Sequence, residues 1–236
     1  MLILALDTTT RDGSVAVLDD DRVLALWPGD GSRTHGERLP GEIASALDAA
    51  GVARGQVDLF AVATGPGAFT GLRIGLAAIQ GLAMTLRKPV VGVSALDALA
   101  HQAGTSAAEM IVPWMDAQRG DVFATVIERT SGAVLEPPTA ANPITLLEIW
   151  RSHLDGRQVL FIGDGVVRDR DAIARLRTGQ WDTRVPAALA PDIAVLARRR
   201  AEAGGAGLPH TLEPIYVRRP DAEIERDRRQ PERPRQ

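Results

Sequence analysis

The sequence predicts an α/β fold built from two similar lobes, and three observations predict it. Residues 2–7 form an apolar run, followed by two short apolar segments that turn residues separate, a pattern typical of a three-stranded meander. A second series of this kind begins at residue 110. After each series, amphipathic segments alternate with short apolar runs. We therefore expect a duplicated α/β unit with a cleft between its halves.

The first lobe is expected to span residues 1–106. Asp12-Gly13 is the hairpin signal of its meander, and Gly51 ends an amphipathic helix. Ser94 is expected to cap a later helix. The elements predicted in chain order are strands at 2–7, 14–18 and 23–27, a helix at 37–50, a strand at 57–63, a helix at 71–86, a strand at 90–93 and a helix at 94–101.

The second lobe is expected to span residues 107–219 and to end with a helix that a proline opens. Residues 220–236 mix acidic and basic side chains with prolines, and we expect a disordered charged tail there. The elements predicted in chain order are strands at 110–115, 122–128 and 133–135, a helix at 144–153, a strand at 159–162, helices at 169–177 and 191–203, and an extended segment at 212–217.

Composition limits the classes of function. With 236 residues and 45% hydrophobic side chains, the chain can fill a large core. Its formal net charge of -3 argues against a protein-wide electrostatic grip on nucleic acid. The absence of cysteine excludes disulfides, thiolate metal sites and a cysteine nucleophile. We expect a cytoplasmic protein without a membrane segment, because the first apolar run is short and lacks a basic leader.

The stretch ATGPGAFTGLRIG, residues 63–75, allows two interpretations. Amides in a glycine-rich turn before a helix can bind an anion, although no GKS or GKT follows and the stretch is not a P-loop. Alternatively, Gly71 and Gly75 lie one helical turn apart and let another backbone approach closely. The helix at 71–86 is apolar in nearly every direction, so something must cover it, and this favours the packing interpretation.

Candidate chemistry is concentrated where strands end. Asp7, Thr8 and Thr9 follow the first strand and form a candidate phosphate turn, or else serve only the turn itself. Residues 115–121 form either a second phosphate turn or a solvated hairpin. Residues 163–165 are expected to meet an adenosine, or else to serve only as a turn.

Histidine and serine patterns support no catalytic site. His35 and Glu37 are better explained by helix capping than by metal binding, because the four histidines are widely spaced. No GxSxG surrounds any serine. We therefore assign no metal ligand and no catalytic residue.

Several segments together resemble the TsaB family, formerly called YeaZ, which serves threonylcarbamoyladenosine synthesis in bacterial tRNA. In chain order they are LALDTTT, GSVAV, THGERLP, ATGPGAFTGLRIG, KPVVGVSALDALA, MDAQRGDVFATV, LFIGDG and LEPIYVRRP. The resemblance covers residues 1–220. It implies a two-lobed actin-like ATPase fold, shared with sugar kinases and heat-shock chaperones, that has lost most of its catalytic equipment. It also implies an accessory subunit of a threonylcarbamoyl transferase, with no cofactor of its own.

The resemblance further implies TsaD as the partner, with TsaE in the complex, ATP acting there, indirect contact with tRNA, and a homodimer when the chain is alone. The HxxxH metal ligands of TsaD fall on Ala95 and Leu99, which cannot bind a metal. Helices 37–50 and 71–86 are expected to form the partner interface through Leu39, Ile43, Leu47, Gly71, Leu72, Gly75 and Ile79. The alternative is a small ATPase or phosphotransferase that acts through an Asp7 cleft.

Overall fold

Two five-stranded sheets form the framework of the computed structural model, which describes residues 1–104, 106–176 and 179–218. In the first sheet, β1 runs antiparallel to β2 and parallel to β4, and the strand order is β3-β2-β1-β4-β5. Its elements are β1 (Leu2–Asp7), β2 (Ser14–Asp19), β3 (Arg22–Pro28), α1 (His35–Ala50), β4 (Leu59–Gly65), α2 (Phe69–Leu86), β5 (Val90–Ser94) and α3 (Ala95–Gln102).

The second half repeats this topology, with strand order β10-β9-β6-β7-β8. β6 runs antiparallel to β7 and parallel to β9, as β1 does with β2 and β4. The duplicated α/β unit is therefore confirmed. The elements are β6 (Met110–Asp116), β7 (Val122–Glu128), β8 (Val134–Ala141), α4 (Pro143–Ile149), α5 (Arg151–Leu154), β9 (Val159–Ile162), α6 (Val166–Leu176), β10 (Trp181–Arg184) and α7 (Ala190–Glu202).

Several elements differ from the sequence prediction. β8 continues to Ala141, although a strand was predicted only at 133–135. The helix expected at 144–153 is divided at Trp150, which lies outside helical geometry. β10 was not predicted, because its sequence WDTR is short and mostly polar. The segment expected to extend at 212–217 joins neither sheet. The charged tail predicted at 220–236 lies outside the described residues.

Helices cover both faces of the first sheet, which explains why β1 is apolar along nearly its whole length. On one face α1 and α2 pack on Leu4 and Leu6. On the other face α3 and α7 pack on Ile3 and Ala5 in a core that continues to the second sheet. We expected the last helix in the second lobe by its position in the chain, but α7 packs on β1, β2, β4 and β5 of the first sheet.

The inner faces of α1 and α2 contain every residue that the resemblance assigned to the partner interface. Leu39, Ile43, Leu47, Leu72 and Ile79 are all at least 94% buried, with Ile43 the most exposed at 6%. Gly71 and Gly75 are buried as well. These residues hold the helices on the sheet of their own chain, so they cannot contact a partner while the fold is intact. The predicted set is corrected accordingly.

Glycines within and just before α2 leave room for the turn after β1. A Cβ added at Gly71 would overlap the Thr8 carbonyl oxygen, and one at Gly75 would overlap Thr8 Oγ1 and lie 3.1 Å from Cγ2. A Cβ at Gly67 would lie 2.6 Å from Thr9 Cβ. The packing interpretation of residues 63–75 thus has a physical basis, and the backbone that approaches closely belongs to the same chain.

By length and composition, α2 would be able to cross a membrane, with a mean hydropathy of 1.3. Such a helix is weak evidence for a membrane span, because core helices of water-soluble proteins pass the same test. Only 33% of its residues are buried within the chain. α2 packs on β4 and alongside α1, and the turn at Pro209–Thr211 also contacts it, whereas outward residues such as Met84 remain exposed.

Gly75→Ala is expected to destabilise the fold by about 1–3 kcal/mol, because the new methyl group overlaps Thr8 and forces a backbone or rotamer shift. Gly81→Ala on the same helix is the matched control. A Cβ at Gly81 meets nothing within 4 Å, so helix propensity is expected to stabilise this variant by up to about 1 kcal/mol. Urea unfolding measures both changes, and equal effects would contradict the assigned packing.

Candidate functional site

A candidate site is a cleft of about 890 Å³ between the two lobes. It lies beyond the carboxyl ends of β1, β4, β6 and β9, where open α/β sheets place their ligands. Residues from both lobes and from the end of the described chain form its walls. They include Thr9, Thr10, Arg11, Arg33, His35, Gly67, Phe69, Gly71, Asp116, Arg119, Asp164, Tyr216 and Arg218.

The candidate phosphate turn is largely turned away from this cleft. Asp7 and Thr8 are buried and do not line it, whereas Thr9 does. Asp7 Oδ1 accepts hydrogen bonds from the backbone amide of Thr9 at 2.8 Å and from its hydroxyl at 2.6 Å. The Thr8 hydroxyl has no hydrogen-bond partner among the described residues. Asp7 therefore caps its own turn, which is the structural alternative that the sequence left open.

Burial raises the pKa of the Asp7 carboxyl above its ordinary value. The two hydrogen bonds from Thr9 oppose this effect, and the negative charge of Asp164 adds slightly to it. Both hydrogen bonds from Thr9 go to Oδ1, and Asp7 is only 3% exposed and does not line the cleft, so it is poorly placed to hold a phosphate-bound metal.

On the second lobe, Arg168 holds the turn after β6, and no sequence pattern had singled this arginine out. Arg168 pairs with both oxygens of Asp169 at 2.7 and 2.8 Å, and it also binds Asp116. Asp164 accepts the Asp116 amide at 2.9 Å. Partial burial raises the pKa of Asp164, with the charge of Asp116 adding to the effect. The Asp116 carboxylate is thus neutralised from within the chain.

The THGERLP segment, residues 34–40, has a structural role at the wall of the cleft that the first lobe forms. Glu37 accepts hydrogen bonds from the Thr34 amide at 2.9 Å and hydroxyl at 2.7 Å, so it closes the start of α1. His35 Nε2 lies 2.9 Å from the Thr10 carbonyl, and Nδ1 lies 2.9 Å from Arg38 Nη2. This geometry suits a neutral ring that donates to Thr10 and accepts from Arg38. Both ring nitrogens are occupied, and a metal role for His35 is excluded.

Arg38, which lies behind the cleft wall, is a supporting residue that the sequence reasoning missed. It is 5% exposed, and its Nη1 donates to both carboxylate oxygens of Glu42, at 2.6 and 2.8 Å. Its second guanidinium nitrogen donates to the carbonyls of Arg11 and Asp12. The spacing of Arg38 and Glu42, four residues apart on a helix, was the available signal. This pair fastens the turn after β1 to α1.

The cleft carries more positive charge than the whole chain would suggest. Four arginines and two aspartates line it, whereas the chain has a net charge of -3. The start of α2 also opens into it, with Ala68 as a cap that provides no side-chain hydrogen bond and no acidic residue in the first turn. Both features favour anions at this surface.

The end of the described chain crosses from the first lobe to the second at the cleft mouth. The Ile215 amide donates to the Thr64 carbonyl at 2.7 Å. Tyr216 stacks on Phe69 with ring centroids 5.4 Å apart. Arg218 then donates to the Ala117 carbonyl at 3.0 Å and to Asp121 at 3.3 Å. We call residues 212–218 the strap, since they join the two lobes.

Metal ligation has little support in the described chain. Within residues 1–104, 106–176 and 179–218, no three His, Asp or Glu side chains gather into a metal-binding group. Ala95 and Leu99, the positions matched to the HxxxH ligands, are buried apolar residues of α3.

Comparison with known proteins agrees with these observations. Residues 26–136 match the family model of TsaD, tRNA N6-adenosine threonylcarbamoyltransferase. The tRNA threonylcarbamoyladenosine biosynthesis protein TsaB of Bacillus subtilis (strain 168) is 30% identical over 225 residues, which cover 94% of this chain and 96% of that protein.

Solved structures give the same result. A Pseudomonas aeruginosa protein described as similar to the peptidase YEAZ superposes with a TM-score of 0.75 at 29% identity, covering 92% of this chain and 99% of the other. The activator of 2-hydroxyisocaproyl-CoA dehydratase from Clostridium difficile, with bound ADPNP, has a TM-score of 0.53 at 13% identity, with 86% and 97% covered. The latter likeness shows the fold alone, an actin-like ATPase fold. Because the similarity to TsaB extends over nearly the full length of both sequences, the chain belongs to the TsaB family.

Proposed function

We propose that this chain is a non-catalytic subunit of the complex that forms threonylcarbamoyladenosine next to the anticodon of tRNA, with a TsaD-type transferase as its partner. The match to the Bacillus subtilis protein of that pathway, over nearly the whole of both chains, carries the proposal. The match of residues 26–136 to the TsaD model supports it, because related folds often pair through equivalent surfaces.

The positions of the two aspartates near the cleft support the proposal that the partner subunit, and not this chain, carries the catalytic residues. Asp7 is buried and bonded to Thr9, and Asp116 is paired with Arg168. Asp7 does not line the cleft and Arg168 compensates the charge of Asp116, which disfavours the metal and phosphate chemistry that an ATPase requires. In this proposal the chain has no cofactor of its own, ATP acts elsewhere in the complex, and the complex is cytoplasmic. The alternative of an ATPase that acts through Asp7 is not favoured by any of these contacts.

The partner surface proposed here is the outward face of α1 and α2, which replaces the buried set. The two helices pack side by side, and a Cβ at Gly36 would lie 3.8 Å from Ile74. Small or apolar residues dominate the face, and Met84 is 62% exposed. Its members are Gly36, Pro40, Gly41 and Ala44 of α1 with Ile74, Ala77, Gly81 and Met84 of α2.

Two glycines on this outward face support close approach by another molecule. A Cβ added at Gly41 or Gly81 would meet nothing within 4 Å, so the chain itself does not require glycine there. Glycine inside a helix costs about 1 kcal/mol relative to alanine. Close packing of a helix from another molecule against Gly41 and Gly81 explains why glycine occupies these positions despite its lower helix propensity. In this proposal a second copy occupies the face when the transferase is absent, and TsaE joins the complete complex.

Reconstitution tests the proposed function directly. With a TsaD-type transferase, the adenylate-forming enzyme, TsaE, unmodified tRNA, threonine, bicarbonate and ATP, modified adenosine is expected only when this chain is also present. The chain without the transferase is expected to give no product. Full product formation by the other components without this chain would overturn the proposal. Nucleoside analysis of the digested tRNA measures the outcome.

Ala77→Arg tests the outward face. Ala77 is exposed on α2, so the long side chain is expected to leave the fold intact and to weaken binding of the transferase by at least about tenfold, a loss of about 1.4 kcal/mol. Ala174→Arg, an equal change at an exposed position of α6, is the control and is expected to bind normally. Calorimetric titration measures affinity. Identical affinities for the two variants would place the interface elsewhere.

Asp7→Asn separates a turn-capping carboxylate from a catalytic one. Asn keeps an oxygen for both Thr9 donors, and it removes the burial penalty on the negative charge. Because the pKa of Asp7 is raised in the folded chain, its ionisation lowers stability as pH rises from its ordinary value through the raised one. The stability gain of Asp7→Asn is therefore expected to be small in acid and larger at neutral pH.

Urea unfolding at several pH values measures that gain, and the reconstituted reaction is expected to proceed at its full rate. A fully folded Asp7→Asn chain that no longer supports tRNA modification would return Asp7 to the catalytic candidates.

A further inference from the structure

The cleft mouth brings together two features that suit RNA, an aromatic platform and a spread of arginines. Phe69 and Tyr216 are 38% and 40% exposed, and both line the cleft. Tyr216 is the single tyrosine of the chain. Since most large apolar side chains in the described chain are buried, two exposed aromatic rings at the edge of the cleft between the lobes are informative.

This aromatic pair is held in place before any ligand binds. The rings stack at an interplanar angle of 29°. The guanidinium of Arg73 lies 4.0 Å from the centroid of the Phe69 ring, and its Nε donates to Tyr216 Oη at 3.2 Å. The strap is anchored on either side of Tyr216 by Ile215 and Arg218. A platform ordered in advance loses little conformational entropy when a base stacks on it.

Positive charge surrounds the platform from separate elements of the fold. Arg11 lies after β1 and Arg33 before α1, and both are exposed on the first lobe. Arg119 lies in the turn between β6 and β7, and Arg218 on the strap. Arginines spread around an opening suit successive phosphates of a polynucleotide better than the tightly clustered phosphates of a free nucleotide.

We propose that the cleft mouth is a direct contact surface for the tRNA substrate, with Tyr216 stacking on an unpaired base and Arg33 contacting a nearby phosphate. The proposal rests on the proposed function, and it goes beyond the indirect tRNA contact that the resemblance implied. Single-stranded loops are the parts of RNA that proteins read by stacking on aromatic rings. A metal-bound triphosphate is disfavoured because Asp7 does not line the cleft and Asp116 is paired with Arg168, which leaves a phosphodiester as the better match.

The test uses the complex of this chain with its transferase partner and a labelled, unmodified tRNA transcript, titrated at several salt concentrations. Arg33→Gln is expected to weaken binding about fivefold near physiological salt and to reduce the salt slope by about one. Arg54→Gln is the matched control. Arg54 is exposed and lies before the amino end of β4, whereas the cleft lies beyond the carboxyl ends of the strands. Its loss is expected to change neither the tRNA affinity nor the salt slope.

Tyr216 provides a second, independent variant. Tyr216→Phe is expected to keep tRNA affinity, because it retains the ring, whereas Tyr216→Ala is expected to weaken binding about fivefold or more. A thermal melt checks whether the alanine variant still folds. If it does not, Arg33→Gln against Arg54→Gln decides.

Three outcomes would overturn the inference. Equal tRNA affinity and salt slope for the Arg33 and Arg54 variants would show that the mouth does not contact RNA. Arg33-dependent binding of adenosine monophosphate without an effect on tRNA would make the ligand a free nucleotide. Loss of tRNA binding only on deletion of residues 219–236 would move the contact to the tail. Gel filtration measures complex formation separately. If no complex forms, the proposed function fails. The same titrations on the chain alone then test whether the cleft mouth contacts tRNA.

Discussion

The close contact between α2 and the turn after β1 fixes the rest of the first lobe. Gly71 and Gly75 leave room for the backbone and side chain of Thr8, and Gly67 leaves room for Thr9. Because no side chain intervenes, α2 lies directly on the carboxyl end of β1. Its first turn then opens into the cleft, and its far face points away from the sheet. The position of the strap follows as well, because Tyr216 rests on the first residue of α2.

The cleft keeps the shape of a nucleotide-binding fold while its polar groups bind one another. Arg38 and Glu42 form a buried pair that holds the turn after β1, and Arg168 holds Asp116 on the other lobe. Removing either Arg38 or Glu42 would leave an uncompensated buried charge, which is strongly destabilising. These contacts therefore favour retention of the fold without requiring a reaction in the cleft, which agrees with the general rule that a fold does not determine its chemistry.

The sequence was sufficient for the strands and helices with a clear apolar period, and for the duplicated topology. It was insufficient where the pattern is short or ionic. β10 has four mostly polar residues, and Arg168 is a single charge without a periodic signal. For Arg38 the spacing to Glu42 was a signal, but the apolar pattern does not include it. The packing of α7 on the first sheet was also not predictable, because position in the chain does not reveal which sheet a helix covers. For the same reason, apolar spacing on α1 identified buried residues such as Ile43 but not the molecule that buries them.

The glycines of α2 show how one residue type serves two surfaces of the same helix. Gly75 faces Thr8 and is required by the fold, whereas a side chain at Gly81 would meet no atom of the chain. Spacing alone does not separate the two cases, since both lie in an apolar helix. The outward face begins beside Arg73 and continues past Ala77 to Met84, so the proposed partner surface adjoins the cleft mouth along one helix. A transferase bound along α2 would thus lie next to the aromatic platform, where one tRNA loop could contact both subunits.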